Sequence, residues 1–121
     1  MTRVVRNGAI PAYGSEGPVV LASWRVARAR FEWNPKKDRE NQTKHGVGFA
    51  VAQLAFADPS RVIAEDLSHG AREERYYCFG RVEGSVLTVR FTFRGDVIRI
   101  FGAGRWRRGK TIYERQNQIH E

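Results

Sequence analysis

The 121-residue chain has few of the residues that disulfide-linked, metal-binding or membrane-spanning proteins depend on. Its single cysteine, Cys78, cannot form an internal disulfide and is typical of a reducing compartment. The three histidines do not form the close pairs with one another or with this cysteine that zinc and iron sites use, so we expect no metal and no other cofactor. No apolar run approaches the roughly 18 residues of a membrane helix. The first residues lack a signal-peptide core, and we therefore expect a cytoplasmic protein with no membrane contact.

Acidic residues are scarce relative to basic ones. The chain has 21 lysines and arginines against 13 aspartates and glutamates, which gives a net charge of +8. Such an excess favours a polyanionic partner, either nucleic acid or an acidic protein.

The composition divides the chain into two parts. Residues 1–30 contain repeated glycines and prolines and no sustained period of 2 or 3.6, which predicts a poorly ordered N-terminal extension. Residues 31–121 are long enough for one folded domain with a modest core.

The central feature of this domain is the stretch from Val86 to Phe101, which predicts a β-hairpin that turns near Gly95. Apolar residues alternate with polar ones along it, so one face is apolar and the other collects Arg90, Arg94 and Arg99. Like charges on one strand face repel each other. Three arginines there are best explained by an anion that binds reversibly.

The neighbouring segments predict an α+β fold. We expect a further strand over residues 74–82 and helices over residues 36–45, 49–57 and 111–119. Together they predict an antiparallel sheet of about four strands, with the helices packed on the apolar face and the arginine face open. The face of the first helix that contains Lys37, Asn41, Lys44 and His45 is either a phosphate-binding surface or an ordinary solvated one.

Metal-free cleavage of RNA is the chemistry that suits these residues. The 2′-hydroxyl is an internal nucleophile, so the protein must supply a proton acceptor, a proton donor and cations for the phosphoryl charge. His69, Glu74, His45 or Tyr77 can transfer protons, and Trp33, Tyr77 or Trp106 can stack on bases. Each has a structural alternative: a surface histidine for His69, an ion-pair partner for Glu74 and a core residue for Trp33.

The stretch from Phe31 to Gly46, F-E-W-N-P-K-K-D-R-E-N-Q-T-K-H-G, resembles the opening signature of the BrnT toxins, F-x-W-D-x-x-K-x-x-x-N-x-x-K-H-G, also called the DUF497 family. The likeness continues through E-D-L-S-H at 65–69, F-T-F-R at 91–94 and the tail from Gly102 to Tyr113. It covers nearly all of residues 31–121. Asn34 replaces the usual aspartate, and Gly102-Ala103-Gly104 replaces the common ending S-A-R.

The resemblance implies a RelE-like fold and metal-independent endoribonuclease activity that halts translation and causes growth arrest. It also implies neutralisation by a BrnA-like antitoxin with a ribbon-helix-helix part, and contact with operator DNA only through that complex. The predicted catalytic residues are His69, Glu74, Arg75, Arg94, Arg99 and His45. The predicted substrate-binding residues are Trp33, Lys37, Lys44, Tyr77, Arg90, Trp106 and Arg107. The alternative function is a non-catalytic basic subunit that binds nucleic acid or protein and acts with its partner in operon repression.

Overall fold

The computed structural model describes residues 2–6, 30–66 and 74–118, and these ranges form an α+β fold around one sheet. The six strands of this described part are β1 (Thr2–Arg6), β2 (Arg30–Trp33), β3 (Val62–Asp66), β4 (Arg75–Val82), β5 (Ser85–Arg94) and β6 (Val97–Gly104). The helices are α1 (Pro35–His45), the single turn α2 (Phe49–Ala52), which continues into a 3-10 turn (Gln53–Ala57), and α3 (Arg107–Gln116).

The sheet has the order β1-β3-β4-β5-β6-β2. Strands β3 to β6 form the predicted antiparallel meander. The prediction of about four antiparallel strands is wrong at both edges, where β2 pairs parallel to β6 and β1 pairs antiparallel to β3. Short edge strands such as β2 show in the sequence as local alternation, but nothing local shows which partner they pair with. The N-terminal strand β1 was not predicted, and residues 7–29 lie outside the described residues.

Helix α1 has the predicted boundaries. The side chain of Asn34 accepts hydrogen bonds from the backbone N–H groups of Lys36 and Lys37 at 2.8 and 3.3 Å, so asparagine replaces aspartate here without loss of the cap. The helix ends at Gly46, whose φ of 70° is the left-handed conformation that glycine adopts without strain.

Asn41 fastens α1 to the sheet. Its amide donates to the carbonyl oxygens of Val47 and Ala103 at 2.7 and 2.9 Å and accepts from the backbone N–H of Ala103 at 3.2 Å. The residue is buried, and burial strengthens the penalty for any of these bonds left unmade. Asn41 therefore positions the helix, and its amide is not available to bind phosphate.

The main core lies on the apolar face of the meander, as the alternation predicts. Its largest fully buried side chains are Phe49, Phe91, Leu87, Ile98 and Ile100, which come from α2, β5 and β6. Burying each such side chain contributes about 1.5–3 kcal/mol relative to exposure.

Helix α3 packs on the opposite face, so the expectation that the helices share one face is wrong. Tyr113 of α3 joins a second cluster with Phe79 and Val86. The helix also begins at Arg107, four residues before the predicted start. Since α3 covers only part of this face, the arginine-bearing part of β4, β5 and β6 stays open.

Gly109 permits the close contact between α3 and β5. A Cβ atom at this position would overlap the hydroxyl oxygen of Thr88 and lie 3.0 Å from the ring of Phe79. Only glycine fits at this crossing.

Asp58 anchors the same helix from its other end. Its carboxylate accepts hydrogen bonds from the hydroxyl of Tyr113 and from the backbone N–H of Arg81, both at 2.7 Å. Burial, together with the hydrogen bond to Asp58, raises the pKa of Tyr113 above its usual value.

Replacing Gly109 with alanine should separate α3 from β5. Overpacking of this kind costs about 1–3 kcal/mol, so the urea midpoint of unfolding should fall clearly. Gly48→Ala is the matched control, because its Cβ would meet only the flexible side chain of Gln42, at 3.3 Å. Equal midpoints for the two variants would contradict the close crossing.

The hydroxyl of Tyr113 should make stability depend on pH in the alkaline range. Because its pKa is raised in the folded state, its contribution is complete below about pH 10 and is lost as the pH rises through the folded pKa. Tyr113→Phe should lower the free energy of unfolding by about 1–2 kcal/mol at pH 8, and the difference from the native protein should shrink above pH 10. A difference that stays constant to pH 11 in urea titrations would contradict this role.

Candidate functional site

The open part of the polar face forms a cleft of about 340 Å³. In the register of the sheet Thr92 pairs with Arg99, and Arg90 pairs with both Tyr77 and Gly102, so side chains from three strands meet there. We call this the arginine cleft. It is lined by Asn34, Lys37, Arg75, Arg90, Thr92, Arg94, Arg99, Ile100 and Phe101.

A β-bulge places an aromatic ring among these arginines. Arg90 pairs with Gly102, whereas Phe91 pairs with Ile100, and Phe101 is the extra residue between them. Phe101 lies two residues beyond Arg99 and so on the same face of the strand, and the bulge leaves it without a cross-strand partner and beside Gly102 opposite Arg90. The guanidinium groups of Arg75 and Arg90 each lie 5.0 Å from the centre of its ring, which is cation–π distance.

The arginines differ in their partners. Arg99 donates to the carboxylate of Glu32 on the neighbouring strand at 2.8 Å, so its charge is largely neutralised. Within the described ranges, neither Arg75 nor Arg90 forms an ion pair, and the Nε–H of Arg75 is buried without an acceptor. Two cations that share one ring and lack carboxylates are the strongest anion-binding feature of the cleft.

A second cleft of about 200 Å³ adjoins the first and shares Lys37, Arg90 and Phe101 with it. We call it the Trp106 cleft. Its other lining residues are Glu40, Asn41, Lys44, His45, Gly102 and Trp106. The imidazole ring of His45 meets the indole ring of Trp106 edge-on, with 5.1 Å between the ring centres. The basic face of α1 thus borders both clefts.

Among the predicted site residues, the two clefts bring together Lys37, Lys44, His45, Arg75, Arg90, Arg94, Arg99 and Trp106. His69 lies outside the described residues. Trp33 packs edge-on against Phe49 in the main core, which accounts for its position without a ligand. Arg107 begins α3 and lines neither cleft.

Two predicted proton carriers, Tyr77 and Glu74, make structural contacts and line neither cleft. Tyr77 stacks on Phe79 in the second cluster, and its hydroxyl donates to Asp66 at 3.3 Å. Burial raises the pKa of Tyr77, so the hydroxyl stays protonated near neutrality. The carboxylate of Glu74 accepts from the hydroxyl of Tyr76 at 2.9 Å and lines neither cleft.

Sequence reasoning did not identify Phe101, Thr92 or Glu40 as site residues. Strict alternation assigns Thr92 and Phe101 to the arginine face, but it cannot reveal the bulge or the contacts of Phe101 with Arg75 and Arg90. Gly102 is a local sign of the tight packing at the bulge. A Cβ atom at this position would lie 3.3 Å from Cδ of Arg90 and would crowd that side chain. Glu40 stands in the first helix among lysines, where an acidic residue is unremarkable.

No group of three or more histidine, cysteine, aspartate or glutamate residues in the described ranges stands close enough to hold a metal ion. None of the described helices has the length and apolar character needed to cross a bilayer.

Comparison with known proteins agrees with the resemblance seen in the sequence. The family model described as "Ribonuclease toxin, BrnT, of type II toxin-antitoxin system" matches residues 33–109, which is more than half of the chain. A search of curated proteins found no match. The matched range includes α1, the meander and every lining residue of both clefts.

Phe101→Leu should weaken anion binding without unfolding the protein, because leucine keeps an apolar contact but removes the ring that holds Arg75 and Arg90. The two contacts predict roughly 3- to 10-fold weaker affinity for inorganic phosphate. Thermal shift as a function of phosphate concentration measures this affinity. Phe93→Leu, an aromatic of the opposite face, is the control. Equal phosphate dependence in both variants would show that the ring does not organise the cleft.

Proposed function

Because the chain belongs to the BrnT family, the ribonuclease toxins of type II toxin–antitoxin systems, we propose that it cleaves RNA in the arginine cleft without a metal ion. Cleavage inhibits translation, and an antitoxin neutralises the protein. The cleavage step takes place beside the ring of Phe101, which both Arg75 and Arg90 contact.

One observation carries this proposal. Arg75 and Arg90 are held together by a shared aromatic ring, and neither has a carboxylate partner among the described residues. Two like charges that line one cleft raise the energy of the empty site. A phosphoryl group relieves that repulsion and accepts hydrogen bonds from the guanidinium groups.

The reaction itself follows from the chemistry of RNA. The 2′-oxygen attacks the neighbouring phosphorus, the bond from phosphorus to the 5′-oxygen breaks, and a 2′,3′-cyclic phosphate remains. Negative charge builds up on the non-bridging oxygens during this step. The guanidinium groups of Arg75 and Arg90 donate hydrogen bonds to those oxygens and stabilise the transition state more than the substrate.

Two proton transfers complete the step. One group takes the proton of the 2′-hydroxyl, and another delivers a proton to the 5′-oxygen as it leaves. His45 is the histidine that the described residues place at the clefts, and we assign it one of these transfers. His69 and Glu74 remain the candidates for the other.

The type II family implies an antitoxin partner. We identify it as a BrnA-like protein with a ribbon-helix-helix part, which carries the complex to operator DNA. This chain has a net charge of +8. Acidic residues of the antitoxin would therefore compete with RNA for the same cations. Translation is cytoplasmic, so the proposal places the protein in the cytoplasm.

Purified protein should degrade RNA in the presence of EDTA, and Arg75→Ala and Arg90→Ala should each lower the cleavage rate. Loss of one transition-state donor costs about 10²- to 10³-fold. Arg39→Ala is the matched control, since Arg39 is an exposed arginine of α1 that lines neither cleft.

A protein that leaves RNA intact under these conditions, yet binds operator DNA with its antitoxin, would support the non-catalytic alternative. Cleavage that appears only with added Mg²⁺ would contradict the metal-free mechanism. Equal loss in all three arginine variants would indicate a general charge effect and not a defined site.

A further inference from the structure

Building on RNA cleavage in the arginine cleft, we propose that the Trp106 cleft holds the base of the nucleotide next to the cleaved phosphate, and that the carboxylate of Glu40 selects guanine there. The protein would then cut RNA beside guanosine. Phosphate binding in the arginine cleft does not by itself require the Trp106 cleft.

The two clefts are continuous. Lys37, Arg90 and Phe101 line both of them, so a phosphate held by Arg90 lies at their junction. The nucleoside attached to that phosphate must then extend into one cleft or the other. The Trp106 cleft has a volume of about 200 Å³, below the roughly 300 Å³ typical of drug-sized pockets, and a single flat base suits it.

Trp106 offers a rigid surface for stacking. Its ring lies on β6 so closely that a Cβ on Gly104 would be 2.6 Å from the ring carbon Cη2. His45 supports the ring edge-on. The residue nevertheless stays 39% exposed, which is unusual for tryptophan in a folded domain. An indole fixed in place and partly open to solvent is the arrangement on which unpaired bases stack.

Glu40 is the one carboxylate that lines either cleft in the described part of the chain. Glu40 is exposed and its carboxylate forms no hydrogen bond or ion pair with the described residues, although Lys44 stands one helical turn away. A free negative charge among lysines and arginines opposes phosphate binding. Its presence is explained if it binds a group that donates hydrogen bonds.

Guanine presents such a group. An ionised carboxylate only accepts hydrogen bonds and can take two in parallel. The Watson–Crick edge of guanine has two adjacent donors, N1–H and the N2 amino group, which match the two carboxylate oxygens. Adenine and cytosine each offer one amino group on that edge, and uracil offers one imino group. Glu40 should therefore favour guanine over the other three bases.

Binding is measured with RNA hexamers that are 2′-O-methylated throughout and so cannot be cleaved. All six positions are uridine except one central position, which is guanosine, adenosine, cytidine or uridine. Tryptophan fluorescence reports binding. The native protein should prefer the guanosine hexamer at least about fivefold, the lower end of what a bidentate base contact supplies. Sequencing of the ends produced from a random RNA pool measures the same preference during cleavage.

Glu40→Ala should abolish the preference, leaving all four hexamers within about twofold of one another. Affinity for the adenosine, cytidine and uridine hexamers should not fall, because the change removes a negative charge from a cationic surface. Glu83→Ala is the matched control, since Glu83 is an exposed glutamate in the turn between β4 and β5. It should bind like the native protein.

Three outcomes would overturn the guanine site, and a fourth would separate it from the nuclease activity. Equal binding of all four hexamers by the native protein overturns the guanine site, and so does a preference that survives in Glu40→Ala. A uniform loss of affinity in Glu40→Ala assigns Glu40 a structural role and also overturns it. Guanine-selective binding without any RNA cleavage would keep this inference while rejecting the proposed nuclease activity, so the two failures are distinguishable.

Discussion

The site depends on one constraint, which is that two guanidinium groups contact the same aromatic ring and have no counter-charge among the described residues. Arg75 and Arg90 come from neighbouring strands and would move apart in water. The ring of Phe101 attracts both at 5.0 Å and keeps them in place. In the proposed mechanism, the repulsion that remains between them favours a phosphoryl group at this site. Arg99 is paired with Glu32, so we expect it to contribute less to phosphate binding.

The rest of the fold keeps this pair accessible. The main core uses one face of the meander, and α3 covers part of the other face through Gly109 and the bond from Tyr113 to Asp58. Asn41 fixes α1 against β6, so that Lys37 and Lys44 border the clefts. Because α3 covers only part of the polar face, the arginine cleft stays open.

Local patterns predicted much of this architecture. The alternation from Val86 to Phe101 indicated the correct apolar face, and Asn34 and Gly46 marked the ends of α1, because capping and pleating act over a few residues. The parallel pairing of β2, the position of α3 and the bulge at Phe101 depend on contacts between distant segments. No local pattern contains that information. For the same reason the sequence grouped Arg99 with the other arginines, although Glu32, distant in the chain, is its partner.

The most direct test follows the arginine side chains by NMR as non-cleavable 2′-O-methyl RNA is added. The guanidinium resonances of Arg75 and Arg90 should shift strongly, because phosphate oxygens accept hydrogen bonds from these groups, while the resonance of Arg39 should change little. Unchanged signals from Arg75 and Arg90, with shifts confined to exposed arginines such as Arg107 and Arg108, would contradict the central claim.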